Sequence, residues 1–151
     1  MSTTSQVTID RYSPEDQPGV LRLLTDSGLP TDGLVGHLGT AVVARVGDRV
    51  VASAALEIYS DGALLRSVAV EETLRGSGLG QRIVRAALDL AHQHGTTSVY
   101  LLTTTAESFF PRFGFERITR ADVPMGVRTS VEFQSACPAS AAVFAKNIGC
   151  K

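Results

Sequence analysis

The chain reads as one α+β domain built on a single mixed sheet of about seven strands flanked by about four helices. Three observations predict this. Residues 40–70 run as β-branched stretches separated by tight Gly-Asp and Asp-Gly turns, which is the pattern of an antiparallel meander. After Gly76 the apolar residues switch to the spacing of one long helix. The chain then returns to short apolar strands, giving an order of ββββ-α-β-α-β-β with an added helix near the start.

Taken in order, residues 7–9 predict a short first strand. In "SPEDQPGVLRLLTDSGLP", Ser13 is placed to cap a helix with Pro14 at its first position. Leu21, Leu23 and Leu24 give it an apolar face, and Gly28 and Pro30 stop it. A second, weaker helix is expected over residues 32–38. The meander follows as "TAVVARV", the turn Gly47-Asp48, "RVVASAALEIYS", the turn Asp61-Gly62 and "ALLRSVAV". The long helix places Leu79, Ile83, Val84, Ala87, Leu88 and Ala91 on one face, with Gly95 as its end. "SVYLLTT" is a buried strand, residues 106–113 a short helix, "FERIT" a strand, Pro124 the start of a helix, and "SAAVFAKNI" the last strand.

Composition excludes several partners. The chain carries 14 Lys+Arg against 15 Asp+Glu, with no run of five like charges, so neither a nucleic acid nor an anionic membrane is suggested as partner. A small-molecule partner is expected. The N-terminus has no basic region followed by an apolar one, and no stretch reaches the length of a membrane span, so a cytoplasmic location is expected. Cys137 and Cys150 stand thirteen apart without a CxxC or Cys/His pair, which argues against a metal site. His37, His92 and His94 are too scattered for a triad. Oligomeric state is not legible, and a homodimer is left open.

The most informative stretch is "LLRSVAVEETLRGSGLGQRIV", where a strand ends in a glycine-rich turn that restarts as a helix. Such a junction leaves unpaired backbone N–H groups at the helix start, with the positive end of the helix dipole behind them. It suits an anion, most often a phosphate. Gly76, Gly78 and Gly80 keep side chains out of the way of that anion. The Walker pattern is absent because no Gly-Lys-Ser/Thr follows. The dinucleotide GxGxxG is absent because Ile83 stands where its third glycine belongs.

The spacing Arg75-x-x-Gly78-x-Gly80, with "FFPRFGF" at residues 109–115, resembles the GNAT superfamily of acyl-CoA-dependent N-acetyltransferases. The likeness covers about residues 7–148 and implies one GNAT domain over residues 1–151, with acetyl-CoA as co-substrate. It implies that Val68, Ala69 and Val70 pair with the pantetheine arm and that the Val68 amide polarises the thioester carbonyl. It gives Arg75, Gly76, Ser77, Gly78, Leu79, Gly80 and Gln81 to the pyrophosphate cradle. Phe110 stands where the family often has a tyrosine general acid, so that role does not carry over; Phe110 is expected to pack against the cofactor, with Tyr100 or Tyr59 as the next candidates for an acid.

"VYLLTTTAESFFPRFGF" followed by "VEFQSACPASAAVF" is similar to the acetyltransferase domain of bacterial N-acetylglutamate synthases, and still more to the stand-alone acetyltransferases associated with arsenic resistance. Both likenesses imply an amino-acid acceptor, and an acidic one needs positive partners. Arg66, on the active-site strand, is the foremost candidate, ahead of Arg112, Arg117 and Arg128. Thr103, Thr104 and Thr105 are placed to hydrogen-bond the acceptor. An α-amino group with a pKa of about 8 needs little help to lose its proton, so a weak carboxylate acting through water suffices. Glu57, expected at a strand end beside the cleft, is the candidate, with Glu107 behind it. The alternatives are an N-acetylglutamate synthase of arginine biosynthesis, or a module that binds acetyl-CoA without transfer and senses a metalloid through Cys137 and Cys150.

Overall fold

A computed structural model describes residues 7–31, 33–103, 106–130, 133 and 141–148. Seven strands form one sheet: β1 (Val7–Arg11), β2 (Ala41–Val46), β3 (Arg49–Tyr59), β4 (Gly62–Val70), β5 (Ser98–Thr103), β6 (Glu116–Ile118) and β7 (Ala142–Asn147). Their order is β1-β2-β3-β4-β5-β7-β6. Every pairing is antiparallel except β4 with β5. The α+β class with a mixed sheet, expected from the sequence, is what the chain adopts.

The meander forms where its turn residues put it, with Val46 opposite Arg49 and Tyr59 opposite Gly62. Helix α1 (Gln17–Asp26) buries Val20, Leu23 and Leu24 against Val43 and Ala55 on one face of the sheet. Helix α2 (Leu79–Gln93) buries Leu79, Ile83, Val84, Ala87, Leu90 and Ala91 against Val42, Ala52 and Leu56 on the other. Leu90, rather than Leu88, completes that face; Leu88 is half-buried at its margin. A third apolar cluster, Leu64, Val123, Val127, Phe133 and Val143, lies beneath the single turn α3 (Met125–Arg128).

Several expected helices are shorter than their sequence patterns. Ser13 caps a 3-10 turn, Pro14–Asp16, which leads into α1; the Asp16 carboxylate accepts from the Ser13 N–H at 2.9 Å and from Arg45 at 2.6 Å. The helix expected over residues 32–38 is a 3-10 turn, Val35–Thr40, and Asp32 lies outside the described residues. The helix expected over residues 106–113 is reduced to Phe110–Phe113, because Pro111 supplies no N–H and Gly114 ends the turn in left-handed backbone (φ 87°).

Two departures from a regular sheet shape its centre. Strands β4 and β5 pair only at Ala63↔Val99 and Leu64↔Tyr100, although both run further. Past Leu64 they separate, and β5 takes β7 as its full-length partner from Ser98↔Asn147 to Thr103↔Ala142. In addition, Ser53 pairs with Ala69 but Ala55 with Arg66, so Ser67 and Val68 together face Ala54 in a β-bulge. Ser67 carries the positive φ, 60°, that this bulge imposes. Its carbonyl accepts from Ser53 Oγ at 2.8 Å.

Gly62 sits at the root of the splay with φ 152°, and a Cβ there would come within 2.9 Å of the Tyr100 ring. Gly62→Ala is therefore expected to lose about 1–3 kcal/mol of stability in a urea melt, from backbone strain and displacement of that ring. A loss below about 0.5 kcal/mol would show that the β4–β5 junction tolerates the displacement.

Candidate functional site: a cleft between separated strands

The separation of β4 from β5 opens a cleft of about 860 Å³. One wall is Arg66, Val68 and Val70 of β4, and the other is Leu101, Leu102 and Thr103 of β5. The glycine turn forms one end, through Arg75, Gly76, Gly78, Gly80 and Gln81. Phe109 and Phe110 lie over the apolar part, and residues 27–30 after α1 close the far side.

The glycine turn has the geometry an anion needs. Gly78 is the N-cap of α2 in left-handed backbone, φ 87°, and Gly76 has φ 84°. A Cβ on either would meet no atom within 4 Å, so the space in front of the turn is open. Arg82 is the first residue of α2 whose N–H finds a backbone carbonyl in the turn, that of Gly78 at 3.2 Å. The preceding N–H groups at the helix start are left for a ligand, with the helix dipole behind them. Ser77 turns away, its Oγ donating to the Leu74 carbonyl, and Leu79 places its side chain in the core, so both serve the turn through backbone alone. Arg75 Nε donates to the Val70 carbonyl at 3.0 Å, tying the turn to the strand end.

Phe110 is buried on the cleft, 5.1 Å from the Phe109 ring and 5.8 Å from Phe115, both edge-on. It packs among these rings and supplies no hydroxyl. Thr103 lines the cleft, and its Oγ1 accepts from the Ala106 N–H at 2.9 Å. Thr104 and Thr105 lie outside the described residues, as do Cys137 and Cys150.

Glu57 differs from its expectation. It is 1 % exposed and does not border the cleft. Its Oε2 accepts from Arg66 Nη1 at 2.7 Å and its Oε1 from the Tyr59 hydroxyl at 2.5 Å. His37 Nε2 stands 3.8 Å from Oε1. The reason is the register: Glu57 lies opposite Leu64, one diagonal step from Arg66, on the sheet face between the clusters under α1 and α3. There water is excluded, and the carboxylate persists by pairing with the arginine.

Burial by itself would raise the Glu57 pKa, but the bonds from Tyr59, Ser130 and Arg66 and the nearby His37 outweigh it and hold the carboxyl below its ordinary value. The same contact, after burial, pushes the Tyr59 hydroxyl up to about 12, and Tyr59 does not border the cleft. Arg66 is equally enclosed: Nε donates to Ser67 Oγ at 3.2 Å and Nη2 to the Pro30 carbonyl at 3.3 Å. The guanidinium thus fastens the loop after α1 to the bulged strand. Glu107 is exposed and paired with Arg117. Among the described residues no group of three His, Cys, Asp or Glu side chains could hold a metal ion, and no helix is long and apolar enough to cross a membrane.

The parts that sequence reasoning missed are the loop at residues 27–30, the cleft-side Phe109, and the partners of Glu57, namely His37, Tyr59 and Ser130. Only the spacing of Glu57 and Tyr59, two apart on one strand face, signalled any of them.

A glycine turn at a helix start beside two separated strands matches a known family. The family model described as the acetyltransferase (GNAT) domain matches residues 37–117, and the chain belongs to that family. Acetyl-CoA is the co-substrate of its members. The chain is 28 % identical over 97 residues to an uncharacterised N-acetyltransferase, CT2212, from Chlorobaculum tepidum, a match spanning 64 % of this chain and 62 % of that protein. Among solved structures, N-acetylglutamate synthase from Neisseria gonorrhoeae, complexed with coenzyme A and N-acetyl-glutamate, superposes with a TM-score of 0.81 at 18 % identity; the match covers 99 % of this chain and 37 % of the synthase. Rv2747 from Mycobacterium tuberculosis, in complex with CoA and NLQ, superposes at 0.78 with 24 % identity over 94 % of this chain and 99 % of its own. At these identities the likeness to solved structures is one of fold.

Three outcomes follow from the geometry. Gly78→Val should weaken acetyl-CoA binding at least about tenfold by calorimetry, because it forces a β-branched residue into left-handed backbone and fills the space before the helix N-terminus. An unchanged Kd in a folded variant would remove the phosphate from this turn. Arg66→Met should cost about 3–5 kcal/mol by stranding the buried Glu57 carboxylate, and Glu57→Gln in the same chain should restore part of that loss. Because the folded-state pKa of Glu57 lies below its unfolded value, its stabilisation is present above the ordinary carboxylate pKa of about 4.3 and is lost as pH falls through the folded value. Urea melts at neutral and acid pH should show Glu57→Gln losing less stability on acidification than the unaltered chain.

Proposed function

We propose that the protein is an acetyl-CoA-dependent N-acetyltransferase that acts on the α-amino group of a small acidic amino acid, or a phosphorus or arsenic analogue of one, by direct attack in a ternary complex. The observation that carries the reading is the open edge of β4 past Leu64, running straight into the glycine turn. A strand edge without a partner offers backbone donors and acceptors to an amide-bearing arm, and the helix start offers donors to a pyrophosphate. Acetyl-CoA presents those two features in that order.

In this reading the Val68 amide, re-aimed by the bulge at residues 67 and 68, meets the negative charge that develops on the thioester oxygen. The acceptor amine attacks in its neutral form, the fraction of which rises with pH. Its nitrogen attacks the carbonyl carbon, the carbon–sulfur bond breaks, and the thiolate leaves without a donor at Phe110, which a thiol pKa of about 8.5 allows. The excess proton on nitrogen passes to solvent. Thr103, on the cleft wall, is proposed to bond the acceptor.

Arg66 is proposed to receive the acceptor's carboxylate by exchanging its 3.3 Å contact to the Pro30 carbonyl for it, with Glu57 as a positioning residue that fixes the guanidinium plane. The pair carries little net charge, so direction rather than bulk attraction sets the preference. The fold shared with a synthase solved with N-acetyl-glutamate supports an acidic acceptor.

The test is release of free thiol from acetyl-CoA across a panel of amino acids, polyamines and lysine peptides. Acidic amino acids or their analogues should give the fastest release, with activity rising to a plateau at alkaline pH through one ionisation. Arg66→Lys, which keeps a charge beside Glu57 but loses the planar fork, should raise KM for the acceptor about tenfold and leave the Kd for acetyl-CoA unchanged. Faster acetylation of polyamines or lysine peptides would overturn the acidic acceptor, and binding without release in any mixture would overturn transfer.

A further inference from the structure

Beside the cleft lies a second groove, of about 510 Å³, along the flank of α2. Arg85, Asp89 and His92 come from the helix, Arg112 and Phe113 from the 3-10 turn, and Lys146 from β7. Arg112 borders both spaces, so the groove continues the cleft rather than forming a separate site.

Its charge is unbalanced. The chain as a whole is near neutral, with a formal charge of −1. Elsewhere several arginines are paired with carboxylates, as Arg45 with Asp16, Arg49 with Glu71 and Arg66 with Glu57. Among the described residues of the groove Asp89 is the single carboxylate beside Arg85, Arg112 and Lys146. Among the described residues those three cations form no side-chain hydrogen bond or ion pair. Arg85 follows Gln81 by one helical turn, about 6 Å along α2, so it faces outward just beyond the pyrophosphate cradle.

We propose that Arg85 and Arg112, with Lys146 behind them, bind the 3′-phosphate at the nucleotide end of acetyl-CoA and so make the protein selective for the phosphorylated cofactor. This rests on the reading of the cleft as the acetyl-CoA site and extends it to residues outside the glycine turn. A phosphomonoester dianion suits the groove because it takes several cationic donors at once, which the singly charged pyrophosphate oxygens at the turn do not demand. The site is exposed, so its contribution should weaken as salt rises.

Calorimetry of the full chain with CoA and with 3′-dephospho-CoA tests the proposal. CoA should bind about tenfold more tightly at low salt, and the gap should narrow as sodium chloride is added. Arg112→Ala and Arg85→Ala, both at exposed positions, should each shrink the gap by weakening CoA while leaving dephospho-CoA nearly unchanged. Inorganic phosphate should compete with CoA more strongly than with dephospho-CoA. Equal affinities in the unaltered protein would overturn the proposal, as would a gap that survives Arg85→Ala and Arg112→Ala together. Failure to bind either ligand would overturn the reading of the cleft itself.

Discussion

Strands β4 and β5 stop pairing after Leu64, and the rest of the molecule is arranged around that interruption. Backbone N–H and C=O groups within a sheet are ordinarily paired, and leaving a row of them open costs free energy unless a ligand or water takes their place. A sheet that opens in its middle, not at an edge, therefore implies something built to be filled. Three features keep it open. The β4–β5 contact is confined to two registers above Gly62, β5 turns to β7 for its full-length partner, and the bulge at Ser67 and Val68 twists β4 away. The glycine turn then extends the same open donor set from strand edge to helix start without a break.

The buried pair of Arg66 and Glu57 stands directly behind the bulge. Removing both charges from water is costly, and such pairs persist where geometry is good and the remaining donors and acceptors are met. Here they are met by Tyr59, Ser67, Pro30 and Ser130. The pair bridges two apolar clusters on one face of the sheet, that under α1 and that under α3, where a continuous hydrophobic layer would leave no polar group at that side of the cleft. By holding the Pro30 carbonyl, Arg66 also joins the loop after α1 to the strand that carries Val68. A hydrophobic replacement could match the stability but not that directional tie.

Local chemistry made much of this visible in the sequence. The Gly-Asp and Asp-Gly turns set the meander, the apolar spacing set α2, and the three glycines after "SVAV" marked the turn with open N–H groups at the start of α2, because each depends on residues within a few positions of one another. The strand order β5-β7-β6 was not visible, since it depends on pairings between distant parts of the chain, such as Ser98↔Asn147 and Ile118↔Val143. Glu57 was misjudged because β3 is covered on both faces; its burial runs unbroken from Val50 to Glu57, so alternation could not show which face was wet. Its partner Arg66 is nine positions on and becomes a neighbour only through the hairpin register. The groove at Arg85, Arg112 and Lys146 was equally hidden, as its residues come from three elements.

The central claim is that the open edge of β4 and the glycine turn act as one continuous binding surface. A titration of the 15N-labelled protein with acetyl-CoA, followed amide by amide, tests it most directly. Saturable shifts should run together through Val68, Val70, Gly76, Gly78 and Gly80 with one Kd, while the amides of β1 and β2 stay still. Shifts confined to the glycine turn, with Val68 and Val70 unmoved, would contradict the account, because the separated strands would then have some purpose other than holding the ligand.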